Sequence, residues 1–280
     1  MAPADESVDE AVDRVRRHFE ENVESEWERL EQTAQGRVAF EIHRRFLARF
    51  VSPGMHVLEV GAGPGRFTRE LAARGVRVEV TDISAAQLDA NRSRALEEGW
   101  AGSVSGWSTL DVRDTSRYEE QQFDAVLAFG GPLSYVFDHA PDALRGLFRL
   151  TFGPVVASGM STLGAYRAFF PAVLDAFAEP EIDHILATGD LRRTQPEGHV
   201  CRMYTSEEVR ELVASAGGSL ESLSASSWTA VEHEALLEAV EQDPDRWQRY
   251  LEREEQACSR PGALDGGTHL LFAARGLTAS

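Results

Sequence analysis

The sequence predicts an α/β fold with a doubly wound, mostly parallel β-sheet, and three observations favour it. Between residues 55 and 159, short apolar runs typical of buried strands alternate with amphipathic helical segments. The first apolar run leads into a glycine-rich turn at residues 61–65, and such turns often bind ligands in parallel sheets. Before the sheet, apolar residues recur at helical spacing between residues 15 and 50.

The N-terminal region precedes this alternation. Its first 14 residues are acidic and polar, so we expect them to be disordered. The apolar spacing from residue 15 to residue 50 predicts two or three helices. Ser52-Pro53-Gly54 then ends the helical pattern, because proline and glycine both disfavour a continuing helix.

The alternating region supplies the sheet. Its predicted strands cover residues 55–60, 76–81, a short run ending near 110, 123–129 and 155–159. Its predicted helices cover residues 66–74, 85–98 and 142–150. Because strands separated by helices pair in parallel, their carboxyl ends should meet at one edge of the sheet, where ligands bind.

The second half of the chain departs from this pattern at residues 161–203, which are rich in aromatic residues and predict a partly helical insertion. The elements that follow are a helix at 206–216, a strand near 220–227, helical residues 232–257 and a last strand at 270–274. We interpret the chain as one domain. Its parts are an N-terminal helical lid (1–50), a ligand-binding core (51–160), a lid insertion (161–203) and the C-terminal part of the sheet (204–280).

Composition excludes several enzyme classes. All 28 basic residues are arginine, so chemistry that needs a lysine, as in P-loop, pyridoxal phosphate, Schiff-base or Tyr-x-x-x-Lys enzymes, cannot operate here. The formal net charge is −18, and the acidic excess is concentrated in residues 1–35 and 206–257. A nucleic-acid partner is therefore not expected, because proteins that bind nucleic acids present a basic face.

The cysteines and histidines give no metal signature. Cys201 and Cys258 are far apart, and no CxxC, HxxH or HExxH spacing occurs, so we expect two free thiols and no metal. The polar N-terminus does not resemble a signal peptide, and no apolar run reaches 18 residues. We expect a cytoplasmic protein without a membrane partner, either a monomer or a homodimer.

The strongest functional signal is the segment Val57-Leu58-Glu59-Val60-Gly61-Ala62-Gly63-Pro64-Gly65-Arg66-Phe67. Its glycines let a strand turn tightly into a helix and let a ligand lie against bare main chain. A dinucleotide fingerprint needs glycine at the sixth position, where Arg66 stands here. The spacing therefore favours a different nucleotide-like ligand.

Two acidic residues extend this signal. Asp82 ends the second predicted strand, 21 residues after Gly61, where a carboxylate can accept hydrogen bonds from both ribose hydroxyls. Asp111 follows the third strand and can accept a hydrogen bond from an adenine amino group, with Val112 packing against the ring. The fourth strand leads into the loop 129–135, which must face the reactive end of the ligand.

Together these motifs resemble the Rossmann-like, class I S-adenosylmethionine-dependent methyltransferases over about residues 38–160. The resemblance implies S-adenosylmethionine as the cofactor and a seven-stranded, mostly parallel sheet with an antiparallel last strand. It implies a methionine site at Glu59, Gly61, Ala62, Gly63 and Gly65, a ribose site at Asp82 and Ile83, an adenine site at Asp111 and Val112, and a sulfonium site at Phe129 and Gly130.

Two further segments indicate a branch of that family. ENVESEWERLE and GGPLSYVF are similar to a bacterial and archaeal branch whose substrates are mostly small or unassigned. The second segment lacks the Asn/Asp-Pro-Pro-Tyr motif of enzymes that methylate nucleic-acid bases or glutamine. This departure disfavours a DNA, RNA or glutamine substrate.

The residues that would contact an acceptor are less constrained. Candidates for orienting the acceptor or removing its proton are Tyr135, His139 and His43. Candidates for the lid and for substrate contact are Trp27, Tyr166, Arg192 and Tyr204, and His199 borders the same segment. Each also has a simpler interpretation as a surface or packing residue. A lid rich in aromatic residues predicts an organic acceptor with apolar surface.

These expectations favour methyl transfer to a small organic molecule, such as a secondary metabolite, by in-line displacement at the methyl carbon. The sequence leaves open aminocarboxypropyl transfer, cyclisation, and methylation of a peptide or protein. A nicotinamide-dependent oxidoreductase and a non-catalytic cofactor-binding subunit are further alternatives. The missing sixth glycine and the missing lysine count against the oxidoreductase.

Overall fold

The computed structural model describes residues 6–192 and 200–277, so His199 lies outside the described residues. Within these ranges the α-helices are α1 (Val8–Glu21), α2 (Val23–Glu28), α3 (Ala34–Ala48), α4 (Arg66–Ala73), α5 (Ala85–Glu97), α6 (Ala140–Arg149), α7 (Thr162–Ala168), α8 (Phe170–Ala176), α9 (Glu179–Thr188), α10 (Ser206–Ser215), α11 (Glu234–Glu241) and α12 (Pro244–Cys258). The strands are β1 (His56–Val60), β2 (Arg77–Asp82), β3 (Val104–Thr109), β4 (Ala125–Ala128), β5 (Val155–Met160), β6 (Gly218–Ala225) and β7 (His269–Gly276).

The described strands form one seven-stranded sheet in the order β3-β2-β1-β4-β5-β7-β6. The pairs β1–β2, β1–β4, β2–β3 and β4–β5 are parallel, and β7 lies antiparallel between β5 and β6. The predicted α/β fold with an antiparallel last strand is therefore confirmed. The strand order reverses between β1 and β4, the place where open parallel sheets form a crevice for ligands.

Side-chain alternation along the strands explains why helices cover both faces of this sheet. In β4, Ala125 and Leu127 pack into a hydrophobic layer with α3, α11 and α12. The intervening Val126 and Ala128 pack into a second layer with α6 and α10. A strand buried on both faces is uniformly apolar, which is why this run was recognisable in the sequence.

The first helix contradicts the expected disorder of the first 14 residues, because α1 begins at Val8. The Ser7 hydroxyl accepts a hydrogen bond from the Glu10 backbone amide, and the Glu10 carboxylate accepts one from the Ser7 amide. Val12 and Val15 are buried on one side of the helix. This capping box and this short apolar stripe stabilise a helix that the acidic composition concealed.

The predicted insertion at residues 161–203 contains α7, α8 and α9. Its two ends meet beside β5, since the Tyr204 amide donates to the Met160 carbonyl at 2.8 Å and the Thr162 amide donates to the Tyr204 carbonyl at 3.0 Å. The insertion therefore leaves and rejoins the sheet at the carboxyl end of β5.

No helix in the described ranges has the length and apolar character that a membrane span requires.

Candidate active site

A cavity of about 610 Å³ lies at the carboxyl edge of the sheet, where the strand order reverses. One part of its wall is formed by residues that follow strands β1, β2 and β3, and we call it the β1–β3 side. It includes Gly61, Ala62, Gly63, Asp82, Ile83, Gln87, Leu110, Asp111 and Val112. The β4–β7 side includes Phe129, Gly130, Tyr135, Met160, Ala165, Phe169, Ala230, Val231 and His269. The N-terminal wall, from α1 to α3, includes Val12, Val15, Phe19, Glu26, Arg29, Leu30, Ala39 and His43.

The glycine turn leaves bare main chain on the β1–β3 side. Gly61, Gly63 and Gly65 have φ angles of +69°, +54° and +106°, a region that residues with a Cβ rarely adopt. A Cβ added at Gly61 would stand 2.9 Å from Pro132 Cγ. A Cβ at Gly63 would meet only the side-chain oxygen of Gln87, 3.9 Å away, and would otherwise occupy the cavity. The turn is thus a cradle for a ligand that approaches the backbone closely.

Asp82 stands beside this turn at the end of β2. Its Oδ2 accepts a hydrogen bond from the Gly63 amide and its Oδ1 one from the Ser84 amide, both at 2.8 Å. Burial raises the pKa of Asp82 to about 6, and these backbone donors oppose the rise. The carboxyl group is therefore held in one orientation, and each oxygen retains acceptor capacity for a hydroxyl of a ligand.

Asp111 lines the cavity with its carboxylate already paired. Arg113 Nη2 and Nε donate to Asp111 Oδ2 at 2.6 and 2.9 Å, and Arg113 Nη1 donates to Asp9 of α1 at 2.6 Å. A ligand amino group would therefore share Asp111 with Arg113. Val112 is buried and offers an apolar surface beside it. The same arginine ties the N-terminal wall to the end of β3.

Glu59 and Gly65, by contrast, lie behind the cavity wall. The Thr68 hydroxyl donates to Glu59 Oε2 at 2.6 Å, and Asn91 Nδ2 donates to Thr68 Oγ1 at 2.9 Å and to the Gly63 carbonyl at 3.3 Å. Burial raises the pKa of Glu59 to about 8, against the hydrogen bond from Thr68. This buried chain of hydrogen bonds supports the glycine turn from beneath.

Gln87 is a wall residue that sequence reasoning missed. Its Nε2 donates to the Phe19 carbonyl at 2.7 Å, which joins α5 to α1. Its buried Oε1 has no hydrogen-bond partner within the described residues. A buried amide oxygen left without a partner costs about 1–3 kcal/mol, so a ligand donor at this point would be stabilising. Its position one turn after the N-cap Ser84 was the available signal.

His43 and Phe129 meet where the N-terminal wall faces the β4–β7 side. Their ring centroids are 5.0 Å apart in an edge-to-face arrangement, and His269 lies 6.2 Å from His43. His43 Nδ1 is 2.7 Å from the Ala39 carbonyl, so in the neutral ring Nδ1 carries the hydrogen and Nε2 is the acceptor. Burial lowers the pKa of His43 to about 4, and the nearby Arg29 charge adds to the effect.

Tyr135 and His139 differ in their relation to the cavity. Tyr135 lines it, packs edge-to-face against Phe19 at 5.3 Å, and has its phenol pKa raised by burial, so the hydroxyl stays protonated. His139 is exposed and lies outside the wall.

Four lid candidates lie outside the wall as well. The Trp27 ring packs against Arg66, and Tyr166 packs against Phe170. Arg192 pairs with Asp190 at 2.6 Å, and the buried Tyr204 hydroxyl donates to the Leu133 carbonyl at 3.2 Å. Phe169 of the same aromatic insertion lines the cavity, although it was not among the lid candidates. Within the described residues no three His, Cys, Asp or Glu side chains form a group that could hold a metal ion.

Comparison with known proteins agrees with this geometry. Residues 57–151 match the family model described as a methyltransferase domain, whereas no curated protein matches the sequence. The S-adenosylmethionine dependent methyltransferase from Mesorhizobium loti is 18% identical with a TM-score of 0.57, over 88% of this chain and 99% of that chain. The CcbJ methyltransferase from Streptomyces caelestis is 17% identical with a TM-score of 0.56, over 85% and 90%.

A third similar structure comes from a complex with a methyltransferase activator. The solved complex of the Haloferax volcanii Trm112 methyltransferase activator with its partner protein contains a chain that is 17% identical to this chain with a TM-score of 0.60. The match covers 95% of this chain and 99% of that chain. At these identities the solved structures share the fold with this chain.

Proposed function

We propose that this chain, which carries a class I methyltransferase domain with S-adenosylmethionine as its cofactor, methylates a small organic molecule bound on the β4–β7 side of the cavity. The observation that carries the proposal is the chemical difference between the two sides. The β1–β3 side offers backbone, carboxylates and an amide oxygen, which suit a polar nucleotide. The β4–β7 side is mostly apolar and aromatic, with Tyr135 and His269 as its titratable groups, and suits an acceptor with apolar surface and one reactive polar group.

The β1–β3 side fits the cofactor by its own features. Gly63 leaves a space that a side chain would fill, Gln87 Oε1 lacks a donor within the described residues, and Asp82 retains acceptor capacity. We infer that the turn holds the methionine part, that Asp82 holds the ribose hydroxyls and that Val112 packs against adenine. When bound, S-adenosylmethionine supplies a methyl group on a positively charged sulfur, which needs no further activation.

The protein then has to hold the acceptor, exclude water and receive a proton where the acceptor carries one. His43 Nε2 is the proposed proton acceptor, because the Ala39 carbonyl fixes the tautomer that leaves Nε2 without a hydrogen. Burial keeps the ring neutral near pH 7 but also makes it a weak base, with a pKa of about 4, which suits an acceptor that becomes acidic as the methyl group is transferred. Tyr135 lines the cavity and remains protonated, so it presents a neutral phenol to the acceptor. The N-terminal wall and the insertion cover the cavity and limit the access of water.

Helices and loops that cover the cavity from several directions favour a small molecule over a peptide. Helices α1 to α3 cover the cavity from one direction, while Ala165 and Phe169 of the insertion and Val231 close the β4–β7 side. A peptide substrate would need an open groove that lets the chain continue in both directions.

The net charge of −18 supports the absence of a nucleic-acid partner, and we propose a cytoplasmic monomer or homodimer.

The proposal is tested by incubating the intact protein with S-adenosylmethionine and panels of hydroxyl, amine, thiol and activated-carbon acceptors. We expect a product heavier by one methylene unit and S-adenosylhomocysteine as the by-product, both measured by mass spectrometry. Methylthioadenosine as the by-product would indicate aminocarboxypropyl transfer or cyclisation instead. Turnover of peptides alone would overturn the small-molecule assignment. The matched control is Asp82→Ala, which removes the proposed ribose contact.

A further inference from the structure

Two charged residues of the N-terminal wall, Glu26 and Arg29, stand three residues apart at the end of α2, and both line the cavity. Arg29 Nε donates to Glu26 Oε2 at 3.1 Å. The Arg29 side chain is 44% exposed and that of Glu26 20% exposed. This pairing leaves one Glu26 oxygen and the two terminal guanidinium nitrogens of Arg29 for a further partner.

Arg29 is the cation of the wall that can bind an anion. The other arginine of the wall, Arg66, is engaged elsewhere. Its Nε donates to the Trp27 carbonyl at 2.7 Å, a terminal nitrogen pairs with Glu31, and the guanidinium lies 3.9 Å from the centroid of the Trp27 ring. The chain has no lysine, and the described wall contains no further arginine.

The pair acts on groups at both sides of the cavity. Burial is the main cause of the lowered pKa of His43, and the Arg29 charge lowers it further. Burial is also the main cause of the raised pKa of Asp82, and the Glu26 charge raises it further. Both charges also act on Tyr135, where burial is again the main cause of the raised pKa. Glu26 and Arg29 also line the same cavity as Asp82, His43 and Tyr135.

We propose that Arg29 and Glu26 bind the amino-acid head of the cofactor, with the guanidinium on the carboxylate and the Glu26 carboxylate on the ammonium group. A cation and an anion held side by side complement an α-amino acid, which carries both charges on one carbon. The glycine cradle accounts for the main-chain contact of the methionine part but supplies no cation. The inference rests on the proposed function for the identity of the cofactor.

This assignment makes α2 part of the cofactor site. Ligands that carry the amino-acid head should hold α2 against the sheet, whereas ligands without it should not.

The test compares two ligands that share the adenosine and the thioether but differ in the head. Titration calorimetry gives the Kd of S-adenosylhomocysteine, which has the head, and of methylthioadenosine, which lacks it, for the wild type and for Arg29→Ala. We expect the variant to bind S-adenosylhomocysteine about tenfold more weakly, the lower end for a hydrogen bond to a charged group, because Arg29 is partly exposed. Binding of methylthioadenosine should not change.

Two further variants sharpen the comparison. Glu26→Gln should weaken S-adenosylhomocysteine selectively as well, because the amide cannot pair with the ammonium charge. Arg16→Ala is the matched control, since Arg16 is 39% exposed and pairs with Asp13 and Glu20 on α1, outside the wall. Hydrogen exchange of residues 23–29 should slow with S-adenosylhomocysteine and not with methylthioadenosine.

Each alternative outcome is distinct. An equal loss for both ligands in Arg29→Ala would overturn head recognition and leave the cofactor assignment standing. If Arg29→Ala binds both ligands as well as the wild type but has a raised KM for the acceptor, head recognition is also overturned. Arg29 would then be assigned to a carboxylate of the acceptor. Failure of the wild type to bind either ligand would overturn the cofactor assignment itself.

Discussion

The two sides of the cavity are built from different kinds of structure. The β1–β3 side comes from three successive strand ends within residues 61–112, each adjacent in the sheet to the next. The β4–β7 side and the wall opposite it combine segments that are far apart in sequence, from His43 in α3 through Phe169 after α7 to Val231 and His269. The first side is a local product of the strand order, and the second depends on how distant segments pack.

The two sides also differ in how firmly they are supported. Behind the glycine turn, Glu59, Thr68 and Asn91 form a buried chain of hydrogen bonds. On the other side, Phe169 lines the cavity while 57% of its surface remains exposed. We propose that the well-supported β1–β3 side holds the cofactor and the less supported β4–β7 side holds the acceptor. Such a division suits an enzyme whose acceptor can change by substitution of a few covering residues.

The largest expected effect concerns the acceptor side alone. His43→Gln should lower kcat about 100-fold with an acceptor that must lose a proton, because the variant lacks the imidazole base. Binding of S-adenosylhomocysteine should stay within about twofold. His139→Gln is the control, since His139 is exposed and outside the wall. Unchanged turnover of His43→Gln across hydroxyl and amine acceptors would remove His43 from the chemistry.

One methyl group added by Gly63→Ala tests the glycine cradle on the β1–β3 side. Gly63→Ala should weaken S-adenosylhomocysteine about tenfold to hundredfold, since the new Cβ occupies the cradle and overpacking costs about 1–3 kcal/mol. Gly54→Ala shares the backbone strain, at φ +86°, but places its Cβ in open space away from the cavity. Both variants should lose about 1–2 kcal/mol of stability, and only Gly63→Ala should lose binding. Equal binding by the two variants would contradict the cradle.

The support beneath the cofactor side should show in the pH dependence of stability. The folded protein holds the Glu59 proton up to about pH 8, whereas the usual pKa is 4.5. The contribution of Glu59 to stability is therefore complete below pH 4.5 and is lost as the pH rises to 8. Because glutamine does not titrate, Glu59→Gln should gain about 1–3 kcal/mol relative to the wild type between pH 5 and pH 8. Urea unfolding at both pH values measures the difference, and parallel pH profiles would contradict it.

The smallest effect concerns the contact between the N-terminal wall and the core. The Trp27 ring lies 3.9 Å from Arg66 and 4.4 Å from Arg94, measured from guanidinium carbon to ring centroid. Trp27→Ala should cost about 1–2 kcal/mol of local stability and weaken S-adenosylhomocysteine only a few-fold. Hydrogen exchange of α1 and α2 should become faster, with little change in Tm. Trp247→Ala, which removes a ring stacked on Tyr250 in α12, should leave that exchange unchanged.

The two sides of the cavity differ in how far the sequence predicts their residues, and the reason is physical. The strands near 57, 78 and 125, the glycine turn and the position of Asp82 were predictable because buried strands and tight turns restrict residue types locally. Gln87 and His269 were missed because nothing in the local pattern requires these residue types, and Arg29 had no role assigned within the segment ENVESEWERLE. His43 was proposed from its position on the helices before the sheet, whereas its partner Ala39 and its neighbour Phe129 required the structure.

By itself the sequence determined the parallel sheet, its ligand edge and the main-chain cradle for a nucleotide-like ligand, since hydrophobic periodicity and glycine conformation act over a few residues. It also determined that any catalytic base is not a lysine. Only the tertiary structure decided which side chains of α1 to α3 and of the later loops face the cavity, because burial and charge proximity arise between segments as far apart in sequence as α3 and β7. It thereby moved Trp27, Arg192 and Tyr204 out of the wall and brought Glu26, Arg29 and His43 into it.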